Sequence, residues 1–380
     1  MKNALLTILI LACSSLLATI LLLNYYQVQP SNLMIKEQDV SLDNFEYDYV
    51  LDGPKSLKLE LCNTDVKIIT DEAAMKNQGE ASMSVTATVY RRPTISSDQF
   101  WTQNIDGEVT INTCLTEYKQ RAVLDFGFSN YSENNRNKLT INMPADYQWS
   151  NVEINGSQNN TLAGELNVVN LKIADVAGRL SLENLLVAQP KNDSSFEARG
   201  HIGYLIVADI KAENINLLAE SGGILQSGQL TGTKISIVNE FGSMEINQLQ
   251  VTERLSIENQ AGELKINNLY KTSGDISLVN EMGSLFVERK NNEVDGLVNV
   301  IATNQAGTLQ LQNINAAKIS LENQVGTTKA IDCITVWEIE NQVGDVIIEG
   351  GMILPGSRVA DNEVGSIKVR GAEGELLKQI

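Results

Sequence analysis

Residues 235–246 read Ile-Ser-Ile-Val-Asn239-Glu-Phe-Gly242-Ser-Met-Glu-Ile, and residues 255–266 read Leu-Ser-Ile-Glu-Asn259-Gln-Ala-Gly262-Glu-Leu-Lys-Ile. In both, apolar residues alternate with polar ones on either side of one tetrapeptide: asparagine, glutamate or glutamine, an apolar residue, glycine. Alternation of this kind marks half-buried strands, and the tetrapeptide marks a bend between them. The same unit recurs at Asn280, Asn304, Asn323, Asn341 and Asn362, with glycines at Gly283, Gly307, Gly326, Gly344 and Gly365. Successive asparagines lie 20, 21, 24, 19, 18 and 21 residues apart, the period of a solenoid.

A third apolar signal follows the second strand, as at Leu249 and Val251 or at Leu269. Three short faces per coil describe a parallel β-helix whose coils pair along the axis. Weaker copies at Leu171–Leu182, Phe196–Val207 and Ala219–Gly222 bring the expected array to about ten coils over 151–370, a rod of roughly 50 Å at ~4.8 Å per coil. Glycine permits a sharp bend through positive φ, and asparagines stacked one coil apart can bond to each other in a ladder. The next position alternates Glu240, Gln260, Glu281, Gln305, Gln324, Gln342 and Glu363. Four neutral amides among seven is a poor calcium row, because calcium wants six to eight oxygens. We therefore read the asparagines and glycines as a structural turn ladder.

Upstream, residues 56–150 alternate in short runs: Leu57, Leu59 and Leu61; Val66 and Ile68; Met83, Val85, Ala87 and Val89; Leu139, Ile141 and Met143. An antiparallel β region or small sandwich is expected there. Its one aromatic cluster is Phe126 to Tyr131, which can serve as a core plug or a ligand platform. Residues 24–55 are polar and read as a tether, and 371–380 read as a cap on the last coil. Residues 4–23 carry no charge and are long enough to span a bilayer as a helix, which predicts an uncleaved N-terminal transmembrane anchor rather than a removed signal peptide. The bulk of the chain is then exported, periplasmic or extracellular. Ile10-Leu-Ala-Cys13 resembles a lipoprotein processing site, but Leu11 is large and the run after Cys13 stays apolar. An exported chain permits a disulfide between Cys62 and Cys114; two buried thiols satisfy the same sequence.

The chemistry of catalysis is scarce. There is one histidine, His201, and no Cys-x-x-Cys, His-Glu-x-x-His, P-loop or Gly-x-Ser-x-Gly. No catalytic residue, metal ligand or cofactor is predicted. With 47 acidic against 29 basic side chains the formal charge is −18, which repels nucleic acid.

The segments Leu57-Lys-Leu-Glu-Leu61-Cys-Asn-Thr-Asp-Val66-Lys-Ile68 and Leu139-Thr-Ile-Asn-Met-Pro144, followed by strand–turn–strand units with glycine, resemble the bacterial adhesin-like domains, themselves similar to autotransporter adhesin head domains. The resemblance implies a β-solenoid in the cell envelope that makes surface or scaffold contacts, and it supplies no catalytic residues. Where many members place Ser or Thr before Gly-Asp, this chain has its Asn-Glu/Gln bend, and only Gly344-Asp345 keeps that pair among the seven units. The expectation is a non-enzymatic, membrane-anchored envelope protein that meets a protein, a glycan or copies of itself. The alternatives are a carbohydrate-active enzyme on the same scaffold, with a cleft between Gly178 and Gly223 near His201, and a self-assembling filament.

Overall fold

A computed structural model of the chain describes residues 41–51, 55–70, 82–92, 94–104, 107–115, 136–188, 193–207, 209–220, 224–272, 274–290, 299–350, 352–359, 364–370 and 376–379. The expected anchor at 4–23, the aromatic loop at 126–131 and Asn362 lie outside these residues. Among the described residues no helix is long and apolar enough to cross a membrane, and the only helical element is the 3-10 turn Ser97–Gln99.

The fold is all-β, a β-solenoid of about nine turns whose strands join one mixed sheet. Consecutive coils pair in parallel and in register. On the face before the bend, Ile215, Ile235, Leu255, Ile276, Val300, Ile319 and Trp337 form one row. On the face after it, Leu225, Met244, Leu264, Leu285 and Leu309 form another. A third, shorter face pairs Ile210, Leu230, Leu249 and Leu269. The inward residues of all three are buried and make a single core running along the axis. Alternation puts every second residue inside, so each coil buries an apolar stripe only when another coil lies on either side of it.

The turn count is about nine rather than the expected ten. A larger correction concerns the N-terminal region, which is mixed and not antiparallel. Ser56–Cys62 pairs in parallel with both Val109–Asn112 and the start of Trp149–Ala188, and Thr64–Thr70 pairs in parallel with Asn137–Met143. Leu57, Leu59, Val66 and Ile68 therefore belong to a coil of the solenoid itself, folded at Asn63 with φ 50°. Antiparallel pairing joins Ser82–Arg91 to Asn137–Met143 and Trp101–Gln103 to Val109–Asn112. Period-two alternation reports which face is buried and says nothing of strand direction, so the sequence pattern could not separate the two. The stretch 24–55 expected as a tether contains a strand. Ser41–Val50 is a strand that pairs with Ser82–Arg91, and its Phe45, Tyr47 and Tyr49 pack against Phe100 and Trp101.

At the other end Leu376–Gln379 folds back antiparallel on Val364–Arg370 and covers that strand's edge. Cys333 is fully buried, and burial pushes its thiol up to about 12.

Candidate interaction surface

The bend residues form a continuous internal ladder. Asn239, Asn259, Asn280, Asn304 and Asn323 are fully buried, and Asn341 nearly so. Each Nδ2 donates to the Oδ1 one coil further on, at 2.6 Å from Asn239 to Asn259, then 2.8, 2.7, 2.7 and 2.6 Å down to Asn341. Each Nδ2 also donates to the carbonyl of the glycine three residues later, as from Asn280 to Gly283 at 3.0 Å. The side chain thus closes its own bend and ties it to the next coil. The ladder starts at Asn239, whose Oδ1 is buried with no hydrogen-bond partner, because the preceding coil carries Ala219 in register with it.

The glycines serve two purposes. Gly326, Gly344 and Gly365 take φ of 150°, 127° and 137°, the left-handed side expected of a sharp bend. Gly262 does not; there a Cβ would stand 2.0 Å from the Gly242 carbonyl oxygen and 2.5 Å from Asn239 Nδ2. Its missing side chain makes room for the stacked backbone and the ladder, a reason that positive φ alone would not supply. The apolar residue of the tetrapeptide points outward instead of into the core, leaving Phe241, Met282, Val325 and Val343 exposed. The Glu/Gln row is tied locally: Gln260 donates to Glu258 at 2.9 Å and Gln324 to Glu322 at 3.1 Å.

The first coil has a different corner. Cys62 and Cys114 are joined by a disulfide across 52 residues of sequence. Beside it Thr64 N donates to Asn160 Oδ1 at 3.0 Å, and Asn137 Nδ2 donates to the Cys62 carbonyl at 2.7 Å. The bridge therefore sits in a buried polar cluster that fixes the bend at Asn63.

None of these residues lines a hollow of about 590 Å³ bounded by Leu185, Leu186, Ile206, Val207, Asp209, Gln226, Ser227, Gly228, Glu245 and Asn247. Its origin is local. In register with Ile246 and Val207, one coil supplies Ser227, and Gly228 follows where the next coil has Asn247. Two small residues leave a notch in the wall. A Cβ at Gly228 would stand 2.1 Å from Asp209 Oδ1, so a larger residue there would displace the Asp209 side chain. That oxygen accepts the backbone N–H of Gln229 at 2.7 Å. Glu245 Oε1 accepts from Asn267 at 2.8 Å and faces Lys265 at 3.9 Å.

A family model described as Toastrack DUF4097 matches residues 54–295, well over half of the chain. The chain belongs to the Toastrack DUF4097 family. The Toastrack match takes in the mixed N-terminal region, the disulfide, the notch and the ladder as far as Asn280; the coils carrying Asn304, Asn323 and Asn341 lie beyond it. No curated protein matches the chain.

The structure brings Asn239 to Asn341 into one line and joins Cys62 to Cys114, while Gly365 continues the bend row in register with Gly344. His201 lies in the strand Ser195–Val207. Among the described residues, no three His, Cys, Asp or Glu side chains come together as a metal site. The notch residues were missed in the sequence. Their signal was the Ser227-Gly228 pair standing where the repeat places an apolar and a larger polar residue.

Proposed function

We propose that the protein is a non-enzymatic, membrane-anchored component of the cell envelope. Its exported solenoid presents a lateral surface to a protein or a glycan, as an adhesin or a scaffold does. One observation carries the reading: the post-bend sheet is hollowed and lined by both polar and apolar side chains, whereas an antiparallel strand covers a sheet edge near each end of the coil stack. A rod with covered edges near its ends and a hollow on its flank is built for contact from the side. The anchor is the uncharged run 4–23, long enough to span the membrane and so to make it the chain's first partner, and the Cys62–Cys114 bridge suits an oxidising compartment.

Membrane fractionation combined with protease treatment of spheroplasts tests this. The full-length chain is expected in the membrane fraction and open to external protease; recovery in the cytosolic fraction without detergent overturns the proposal.

A carbohydrate-active enzyme is favoured by a single feature, the presence of Asp209 and Glu245 in one hollow. Both carboxylates are engaged by neighbours, which suits binding better than proton transfer. Release of product from a panel of polysaccharides would put the enzyme in its place. A filament made by end-to-end stacking is disfavoured by the antiparallel cover on the last coil.

A further inference from the structure

The notch is not isolated. A second hollow of about 330 Å³ lies on the same sheet, bounded by Glu263, Lys265, Ile266, Phe286, Val287, Glu288, Gln310 and Gln312. One outward row in register crosses both: Ile206, Gln226, Glu245, Lys265, Phe286 and Gln310. The two hollows are therefore stations on one track parallel to the axis, two to three rungs apart at roughly 4.8 Å per rung. A ligand that fills both must be extended and must run along the rod.

The lining restricts its chemistry. Among the described residues, the lining of the two hollows holds four carboxylates, Asp209, Glu245, Glu263 and Glu288, and one cation, Lys265, in a chain of net charge −18. Anionic polymers are repelled by that field. Gln226, Asn247, Gln310 and Gln312 carry amides, which donate and accept at once, and the carboxylates of Asp209 and Glu245 are held in place by Gln229, Asn267 and Lys265. Between these polar groups stand the apolar surfaces of Leu186, Ile206 and Phe286. Hydroxyls that need both donors and acceptors, alternating with apolar C–H faces, are the surface of a sugar ring. A polymer of like units also suits a wall that repeats from coil to coil.

We infer that this track binds an uncharged, extended oligosaccharide lying along the rod axis. The inference rests on the lateral-contact reading above and specifies its face and its ligand.

The test titrates full-length protein in detergent with neutral hexasaccharides of glucose and of N-acetylglucosamine, using calorimetry, with polygalacturonate and a polylysine peptide as charged comparisons. At least one neutral hexasaccharide is expected to bind. Phe286→Ala and Gln226→Ala are each expected to weaken it about tenfold, as loss of one ring face or one amide pair does. Both side chains are outward on the sheet, so the fold is retained, and Phe241→Ser on the ladder corner is expected to leave affinity unchanged. Binding that survives both track substitutions overturns the assignment of the site. Preference for polygalacturonate or polylysine overturns the ligand class. No binding by any neutral hexasaccharide overturns the inference while the fractionation result still decides the broader reading separately.

Discussion

At the residue scale the ladder asparagines differ sharply from their exposed neighbours. Asn280, itself fully buried, accepts from Asn259, donates to Asn304 and closes its own bend on Gly283. Asn280→Ala removes these bonds and leaves Asn304 Oδ1 buried without its donor, so a loss of about 2–4 kcal/mol is expected. Gln342, one position past a ladder asparagine, is exposed, and Gln342→Ala should change stability by no more than about 0.5 kcal/mol. Thermal melts followed by circular dichroism separate the two; equal effects would mean the ladder contributes nothing special. Gly262→Ala carries a steric penalty of roughly 1–3 kcal/mol or more, because a Cβ there would stand 2.0 Å from the Gly242 carbonyl oxygen. A wild-type melting temperature for that variant would show that the coils separate without resistance.

Within the elements, the ladder's first rung is unfinished. Ala219 is in register with Asn239 on one side and with Gly200 on the other, so a larger side chain has the glycine's space beside it. Ala219→Asn supplies a donor for the orphan Asn239 Oδ1 but moves the unpartnered oxygen to position 219, opposite Gly200, so the change in stability is expected to stay within about 0.5 kcal/mol. A lower midpoint in urea would mean that overpacking outweighs the added bond. The first coil is held differently. Its disulfide closes 52 residues, for which loop-closure entropy suggests about 4 kcal/mol. Reduction, or the paired substitution Cys62→Ser with Cys114→Ser, should therefore loosen the N-terminal coils first. Solenoid stability is nearest-neighbour in character, so amide exchange should rise around 56–70 and remain slow around 254–341. Uniform acceleration along the whole rod would contradict that expectation.

At the scale of the molecule the ends matter most, because a parallel stack exposes an unpaired edge wherever it stops. Leu376–Gln379 covers the edge strand Val364–Arg370. Deleting 371–380 uncovers it, and light scattering after size exclusion should then detect end-to-end oligomers; a truncated chain that stays at the parent's mass would show that the edge is harmless. Much of this architecture was legible in the chain. The recurrence of Asn-Glu/Gln-apolar-Gly from Asn239 onward set the coil, its period and the row that stacks inside its corner, because identical residues at one coil's spacing meet in register. Where the repeat decays, the chain was silent on geometry. Leu57 to Ile68 alternate in the same way whether the strands run parallel or antiparallel, and only long-range pairing with 109–112, 137–143 and 151–157 made them a solenoid coil. The track across Gln226 and Phe286 was likewise decided by tertiary structure, since its residues are about 20 residues apart in sequence and meet only through coil stacking. Local pattern determines which side of a strand is buried; which strands become neighbours, and what their outer faces assemble into, depends on contacts between distant segments.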